Sequence, residues 1–110
     1  MDDPVGITRG TTPSISVEVP MNLEGYTCYF SVGKKLHAPY FTVDNSQMSA
    51  TYGEKSTLIF TLTQAQTLSC KAGTAYVQLR FIKDDVALAS TITETTIYDV
   101  VKDGEIEDVY

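Results

Sequence analysis

The chain has 110 residues, enough for one domain but too few for two ordinary ones. It carries 8 basic and 14 acidic residues and a formal net charge of −6, without a basic stripe, which argues against direct nucleic-acid binding. The composition includes 15 threonines, 10 valines and 7 isoleucines, which favours strands, and no window holds the apolar repeat of a long helix.

Turn residues divide the chain into short alternating runs. Residues 1–10 are polar and predict a mobile N-terminal arm or a weakly held edge strand. Val5 and Ile7 alternate in this arm, so it can add to a sheet edge of this chain or of a neighbour. The strands are expected in the domain body, residues 11–101. They span residues 14–19, 26–32, 40–43, 47–52, 58–62, 75–83, 86–90 and 91–101.

The first half of the domain shows two clear inward faces. They consist of Ile15, Val17 and Val19 in the first strand and of Cys28, Phe30 and Val32 in the second. Pro20 ends the first strand because it cannot donate to a ladder. Residues 36–40 contain Pro39 and predict a bend between strands.

Residues 56–90 carry the strongest signals, and the remaining elements are organised around them. The inward sets are Leu58, Phe60 and Leu62 in one strand and Ala75, Val77, Leu79 and Phe81 in the next. The outward set is Tyr76, Gln78, Arg80 and Ile82. The run 75–83 is therefore predicted as the central strand.

Two connections frame the central strand. Thr63 and Gln66 have the spacing of a capping box, which predicts one helical turn over residues 64–68, with Leu68 closing the end of the core. Gly73 lets the chain leave that turn. Asp84 and Asp85 predict a tight hairpin, since Asp tolerates left-handed backbone geometry.

The C-terminal part is less regular and strongly acidic. Over residues 91–101 the alternation breaks around residues 93–96, which predicts either one bent strand with a bulge there or two short strands. Five of the 14 acidic residues fall in the last 12 positions. The C-terminal segment, residues 102–110, is expected to be a solvated tail, and a docking segment for a basic partner is the alternative. Ile106 and Val109 allow one more short pairing.

The residue types that carry chemistry are few and poorly placed for it. Cys28 and Cys70 lack metal-ligand spacing, and His37 alone cannot complete a zinc site. A disulfide between the two cysteines is one possibility that the sequence leaves open. The position of Cys28 fits that of a small buried hydrophobic residue in a reduced protein. No Ser/Cys–His–acid arrangement, metal site or phosphate-binding glycine loop is recognisable. We therefore predict no catalytic, cofactor-binding or metal-binding residues and no enzyme activity.

The pattern as a whole predicts an all-β protein. About eight short strands with one helical turn near residues 64–68 fit a two-layer antiparallel β-sandwich of Ig-like architecture. The sequence contains no tryptophan, which excludes an antibody-type domain. No signal peptide or transmembrane segment is expected.

Five short segments together resemble small structural proteins of phages and prophages of Gram-positive bacteria, and are similar to the N-terminal β-sandwich domain of phage baseplate upper proteins. In order, they are Arg9-Gly10-Thr11-Thr12-Pro13, residues 62–67, Val77-Gln78-Leu79-Arg80, Ala89-Ser90 and residues 102–106. Two departures are Gln64-Ala65-Gln66, where an acidic Gln-Glu-Glu is more typical, and Asp84-Asp85 in place of Asp-Gly.

The resemblance implies a non-enzymatic virion component, of the tail or baseplate, that works through protein–protein contacts. It would be made in the bacterial cytoplasm and assembled into the virion. Its expected partners are other phage structural proteins and further copies of itself, joined through sheet edges and the terminal segments, with neither nucleic acid nor a membrane involved.

A carbohydrate- or surface-binding module is the alternative function. It would use exposed tyrosines together with Arg80. This alternative requires Tyr29, Tyr52 and Tyr76 to share one concave face, whereas packing at the core edge would scatter them.

Overall fold

Nine strands and two short helical turns form within residues 6–35, 38–101 and 104–106, the part of the chain that the computed structural model describes. The strands are β1 Ile7–Thr8, β2 Ser14–Val19, β3 Thr27–Lys35, β4 Ala38–Val43, β5 Met48–Thr51, β6 Ser56–Thr61, β7 Gly73–Lys83, β8 Val86–Ala89 and β9 Thr93–Tyr98. A 3-10 turn lies at Asn45–Gln47 and the α-helical turn α1 at Gln64–Leu68.

The strands form two sheets, as the alternation predicts. Sheet A has the order β1-β9-β7-β3-β4, with β8 also paired to β7, and sheet B has the order β2-β6-β5. Every neighbouring pair is antiparallel except β1 and β9, which run parallel. The predicted all-β sandwich is confirmed, with nine strands within the described ranges rather than about eight and with one parallel pair.

The core lies between the facing apolar sides of the two sheets. The rings of Phe30 in β3 and Phe60 in β6 stack at a centroid distance of 5.3 Å and so join sheet A to sheet B. The predicted inward residues of β3, β6 and β7 are buried, except for Val77, which is half-buried. The sequence therefore predicted the faces correctly, and Val77 marks a place where the two sheets do not cover each other.

The capped helical turn is confirmed with its predicted bounds. The Thr63 hydroxyl accepts a hydrogen bond from Gln66 N at 3.1 Å, and Gln66 Oε1 accepts one from Thr63 N at 2.9 Å. The prediction that Leu68 closes the core was wrong, because Leu68 is only half-buried and Thr67 is the buried residue of α1. Thr67 tolerates burial because its hydroxyl donates to Thr11 O at 2.9 Å.

The irregularity predicted near residues 93–96 lies a few residues earlier. Strand β9 pairs with β7 in unbroken register from Thr93 opposite Val77, and β8 pairs with the same edge of β7, ending with Ala89 opposite Arg80. Arg80 and Val77 are three residues apart on β7, whereas their partners Ala89 and Thr93 are four residues apart. One extra residue is therefore accommodated between β8 and β9. The bulge thus lies at residues 90–92, and the predicted strand 91–101 is shortened to Thr93–Tyr98.

The predicted bend at Pro39 is also corrected. Strand β4 begins at Ala38 and includes Pro39, which an edge strand tolerates because its missing N–H is not needed there. The pairing with β3 shifts on both sides of Gly33. A Cβ atom on Gly33 would lie 2.8 Å from Ala38 O, so the close approach requires glycine. The neighbouring residues Leu36 and His37 lie outside the described residues.

The N-terminal arm contributes to the sheet of its own chain. Ile7 pairs with Ile97 and Thr8 with Tyr98, and both Ile7 and Ile97 are buried. Residues 1–5, which include Val5, lie outside the described part of the chain, as do 102–103 and 107–110. The predicted pairing of Val109 therefore cannot be placed, whereas Ile106 is described below.

A buried serine holds the loop between β2 and β3. Leu23 follows β2 and is fully buried, although no periodic pattern surrounds it. The Ser56 hydroxyl, also fully buried, accepts from Leu23 N at 2.8 Å and donates to Met21 O at 2.7 Å. One side chain thus satisfies two backbone groups of the β2–β3 loop.

We expect Ser56→Ala to lower the free energy of unfolding by about 1–3 kcal/mol, because the buried Leu23 N–H then loses its partner. Urea unfolding followed by circular dichroism measures the change. Ser49→Ala is the matched control, since Ser49 is exposed on β5 of the same sheet, and it should cost less than about 0.5 kcal/mol. Equal losses in the two variants would contradict the bridging role.

Candidate interaction surface

The acidic pair singled out by the sequence lies in a hairpin turn. Asp84 and Asp85 connect β7 to β8, both are exposed, and Asp84 has a φ of 53°. Such a left-handed conformation is one that Asp adopts more readily than most residues. Across the described residues, no group of three or more His, Cys, Asp or Glu side chains is placed to hold a metal ion.

Both cysteines are buried free thiols. Burial raises the pKa of Cys28, and it also raises the pKa of Cys70 despite opposing contributions from Ser69 and Arg9. A thiol with a raised pKa is a poor nucleophile at neutral pH. The disulfide that the sequence left open is not formed, and the two thiols act as small apolar residues of the core.

The tyrosines considered for a sugar-binding face do not share one surface. Tyr29 lies opposite Arg80 on the outer side of sheet A, and Tyr76 lies on the same side opposite Gly33. These positions are four residues apart along the strands, or about 13 Å. Tyr52 follows β5 of sheet B. The structure therefore brings Tyr29 next to Arg80 but disperses the three aromatic rings.

A cleft lies where the sandwich is open. It has a volume of about 570 Å³ and lies between β2 of sheet B and the β7–β9 part of sheet A. Its apolar lining includes Ile15 and Val17 from β2 together with Val77 and Leu79 from β7. Thr93 borders it from β9 and is exposed although it points to the inner side of its sheet, opposite Val77.

The cleft exists because sheet A is wider than sheet B on this side. Phe60 of β6 stacks on Phe30 of β3, so the middle of sheet B covers the middle of sheet A. Strand β2 is the next and last strand of sheet B, whereas sheet A continues through β7 and β9 to β1. Of the inner-facing residues of β9, Thr95 and Ile97 are buried and Thr93 is exposed. The uncovered part of sheet A is therefore the Thr93 end of β9 with the neighbouring Val77 of β7.

Strand β2 presents a free backbone edge to this cleft. Leu62 N donates to Pro13 O at 3.0 Å, and the antiparallel alternation then directs the backbone groups of Ile15 and Val17 towards β6. The N–H and C=O groups of Ser14, Ser16 and Glu18 point the other way, to the free edge. Strand β2 is six residues long, contains no Pro or Lys, and has Glu18 near its end as its one charged residue, so the edge along Ser14 and Ser16 is unprotected.

A cluster of contacts joins both ends of the described chain beside α1. The Arg9 guanidinium donates to Cys70 O at 2.8 Å, to Leu68 O at 3.1 Å and to Asp99 Oδ1 at 2.8 Å. The hydrogen bond from Arg9 to Asp99 Oδ1, with a further one from Val100 N, lowers the pKa of Asp99. One acidic residue near the C-terminus is therefore an internal ion-pair partner.

The same cluster holds the described C-terminal residues. The Gln64 side chain accepts from Ile106 N at 2.8 Å and donates to Ile106 O at 3.1 Å, as a neighbouring strand would. Glu105 and Ile106 are themselves exposed. Ile106 is therefore held by a side chain of α1 and not by the strand pairing that the sequence predicted.

No protein-family model and no curated protein matches the sequence. None of the helices in the described ranges is long and apolar enough to cross a membrane.

Proposed function

We propose that the protein is a non-enzymatic structural component of a phage or prophage virion, in the tail or baseplate, that acts through protein–protein contacts. One observation carries the proposal. Segments 9–13, 62–67 and 102–106, which resemble phage structural proteins and are far apart in sequence, contact one another, and segments 77–80 and 89–90 meet across the β7–β8 hairpin.

The first cluster combines three of the five segments. Thr67 donates to Thr11 O, and Gln64 pairs with Ile106. Arg9 donates to Leu68 O, at the end of α1, and to Cys70 O, both just beyond residues 62–67. The segments 9–13, 62–67 and 102–106 are thus neighbours through the residues described in each. Chance matches to short motifs have no reason to meet in space, whereas residues shared for a structural reason do.

The second cluster combines the other two segments. Ser90 N donates to Leu79 O at 2.8 Å, and the Ser90 hydroxyl accepts from Leu79 N at 2.9 Å. Gln78 Nε2 also donates to Ser90 O at 3.0 Å. These contacts stabilise the bulge between β8 and β9, which borders the cleft. The resemblance therefore lies in residues that hold the scaffold and shape its open side.

The open side of the sandwich supports a role in assembly. Unpaired edge groups and half-buried apolar side chains are stabilised when another polypeptide covers them. Because a virion component works by binding its neighbours, such a surface is functional there, whereas in an isolated protein it promotes aggregation.

The direct test is quantitative mass spectrometry of density-purified virions from the encoding phage, or from the prophage after induction. We expect the protein at a fixed copy number relative to other virion proteins. Its absence from infectious particles would overturn the proposal. Light scattering on the purified protein then tests the expected homo-oligomer.

A further inference from the structure

We propose that the cleft between β2 and β9 binds one extended segment of a partner protein, which adds as a further strand to the free edge of β2 and buries alternate apolar side chains against Val17 and Val77. This inference deepens the proposed function, and rests on it for the source of the segment.

The edge of β2 supplies the backbone half of such a site. Ser14, Ser16 and Glu18 direct their N–H and C=O groups away from β6, and none of these groups has a partner among the described residues. An added strand would satisfy them by the hydrogen-bond pattern that already joins β2 to β6. With β2 at six residues, the added strand spans about 20 Å.

The cleft supplies the side-chain half. Side chains of an added strand alternate, so every second one points inward, towards Val77, Leu79 and Thr93. Val77 is the one predicted core residue of β7 that stays half-buried, and Thr93 faces inward yet is exposed. Both would be covered if an apolar residue of the added strand lay over them.

The shape of the cleft favours a single segment over a second folded copy. Sheet A extends past β2 through β9 and β1, so it forms a floor beneath the added strand. A second copy that joined its own β2 to this edge by a two-fold axis would bring its own β9 and β1 into the same space. A single extended segment brings no second sheet with it and therefore fits.

Charge narrows the sequence of the segment. Glu94 borders the cleft but lies on the outer side of sheet A, opposite Tyr76, whereas Glu18 lies on β2 itself, and the whole chain carries a net charge of −6. An acidic segment is therefore disfavoured, and Lys or Arg is favoured at the outward-facing position of the added strand opposite Glu18. The expected partner segment alternates Val, Ile or Leu with Ser or Thr and carries a basic residue.

The experiment is selection of a displayed library of linear nonapeptides against the full chain, followed by fluorescence anisotropy of the enriched peptides. We expect a period-two apolar pattern in the enriched peptides. Thr93→Arg should weaken their binding by about tenfold or more, because a charged side chain then occupies the cleft. Thr96→Arg is the matched control, on the outer side of the same strand and away from the cleft, and should change binding by less than about twofold.

A second variant tests the backbone edge. Ser16→Pro removes an N–H that points to the free edge without removing a bond to β6, and it should also weaken binding by about tenfold. Ala50→Pro makes the same change on the opposite free edge of sheet B and should leave binding unchanged, with circular dichroism checking the fold of both.

Failure to enrich peptides, enrichment without the period-two pattern, or binding unaffected by Thr93→Arg would each overturn the strand site. The virion analysis is independent of these outcomes. If the protein binds the peptides but is absent from virions, the strand site stands and the proposed function is overturned. If the protein is present in virions but binds no peptide, the proposed function stands and the strand site is overturned.

Discussion

Phe60→Ala is expected to lower the free energy of unfolding by about 3–5 kcal/mol, the largest effect of the substitutions considered. Phe60 is fully buried in β6, the middle strand of sheet B, and its ring stacks on Phe30 of sheet A with 22° between the planes. Truncation removes the contact that joins the two sheets and leaves a cavity that the flanking strands cannot fill. A domain of this size has a total stability of about 5–15 kcal/mol, so the variant should be close to unfolding.

Ile59→Ala is the matched control for this truncation. Ile59 is the next residue of β6, but it points outward and is 37% exposed. It should cost less than about 1 kcal/mol, because it loses some strand propensity and little burial. Urea unfolding by circular dichroism measures both variants, and an unchanged slope with denaturant identifies a change in native stability. Similar losses for Phe60→Ala and Ile59→Ala would contradict a core centred on Phe60.

The features that the sequence predicted correctly are those with local signals. Alternation fixes which side of a strand is apolar, and the inward positions of Phe60 and Leu79 follow from neighbours two residues away. The helical turn was predicted because Thr63 and Gln66 satisfy each other within three residues. Such signals need no knowledge of how the sheets are arranged.

The features that escaped prediction depend on partners distant in sequence. Arg9 reaches Asp99 across 90 positions, and Ser56 reaches Leu23 across 33. No spacing rule connects such residues before the strand order is known. Arg9 could be noticed within a motif of the resemblance, but its partners could not be named.

The cleft escaped prediction for a different reason. Strand β2 alternates as regularly as the covered strands, so nothing in its sequence shows that it lies at the edge of the smaller sheet. The opening arises from the unequal width of two sheets, which is a property of the topology. Thr93 and Thr95 are both polar residues on the inner face of β9, but only Thr93 is exposed, so residue type alone does not mark the opening.

Arg9→Ala is expected to lower the free energy of unfolding by about 2–3 kcal/mol from its two carbonyl contacts alone. The side chain is 16% exposed and donates to Cys70 O and Leu68 O, so truncation leaves both acceptors without this charged donor. Arg9→Lys should recover only part of the loss, since one ammonium group cannot reproduce the divergent contacts of a guanidinium. Arg80→Ala is the control, an exposed arginine of β7, and should cost less than about 0.5 kcal/mol.

The remaining contact of Arg9 makes part of its effect depend on pH. The hydrogen bond from Arg9 lowers the pKa of Asp99 below its ordinary value of 3.8, so the ion pair adds stability above that pH and loses it as the pH falls through the lowered pKa of the folded state. The stability difference between the native sequence and Arg9→Ala should therefore shrink on acidification from about pH 6 to about pH 2, and the carbonyl contribution should remain.

In an Asp99→Asn background, the effect of Arg9→Ala should become independent of pH over the same range, because the titrating partner is gone. Urea unfolding of the four proteins at each pH completes the cycle. If the native sequence and the Asp99→Asn background gave the same pH profile for Arg9→Ala, the ion pair would make no contribution. The cluster beside α1 would then be held by the carbonyl contacts of Arg9 together with the pairing between Gln64 and Ile106.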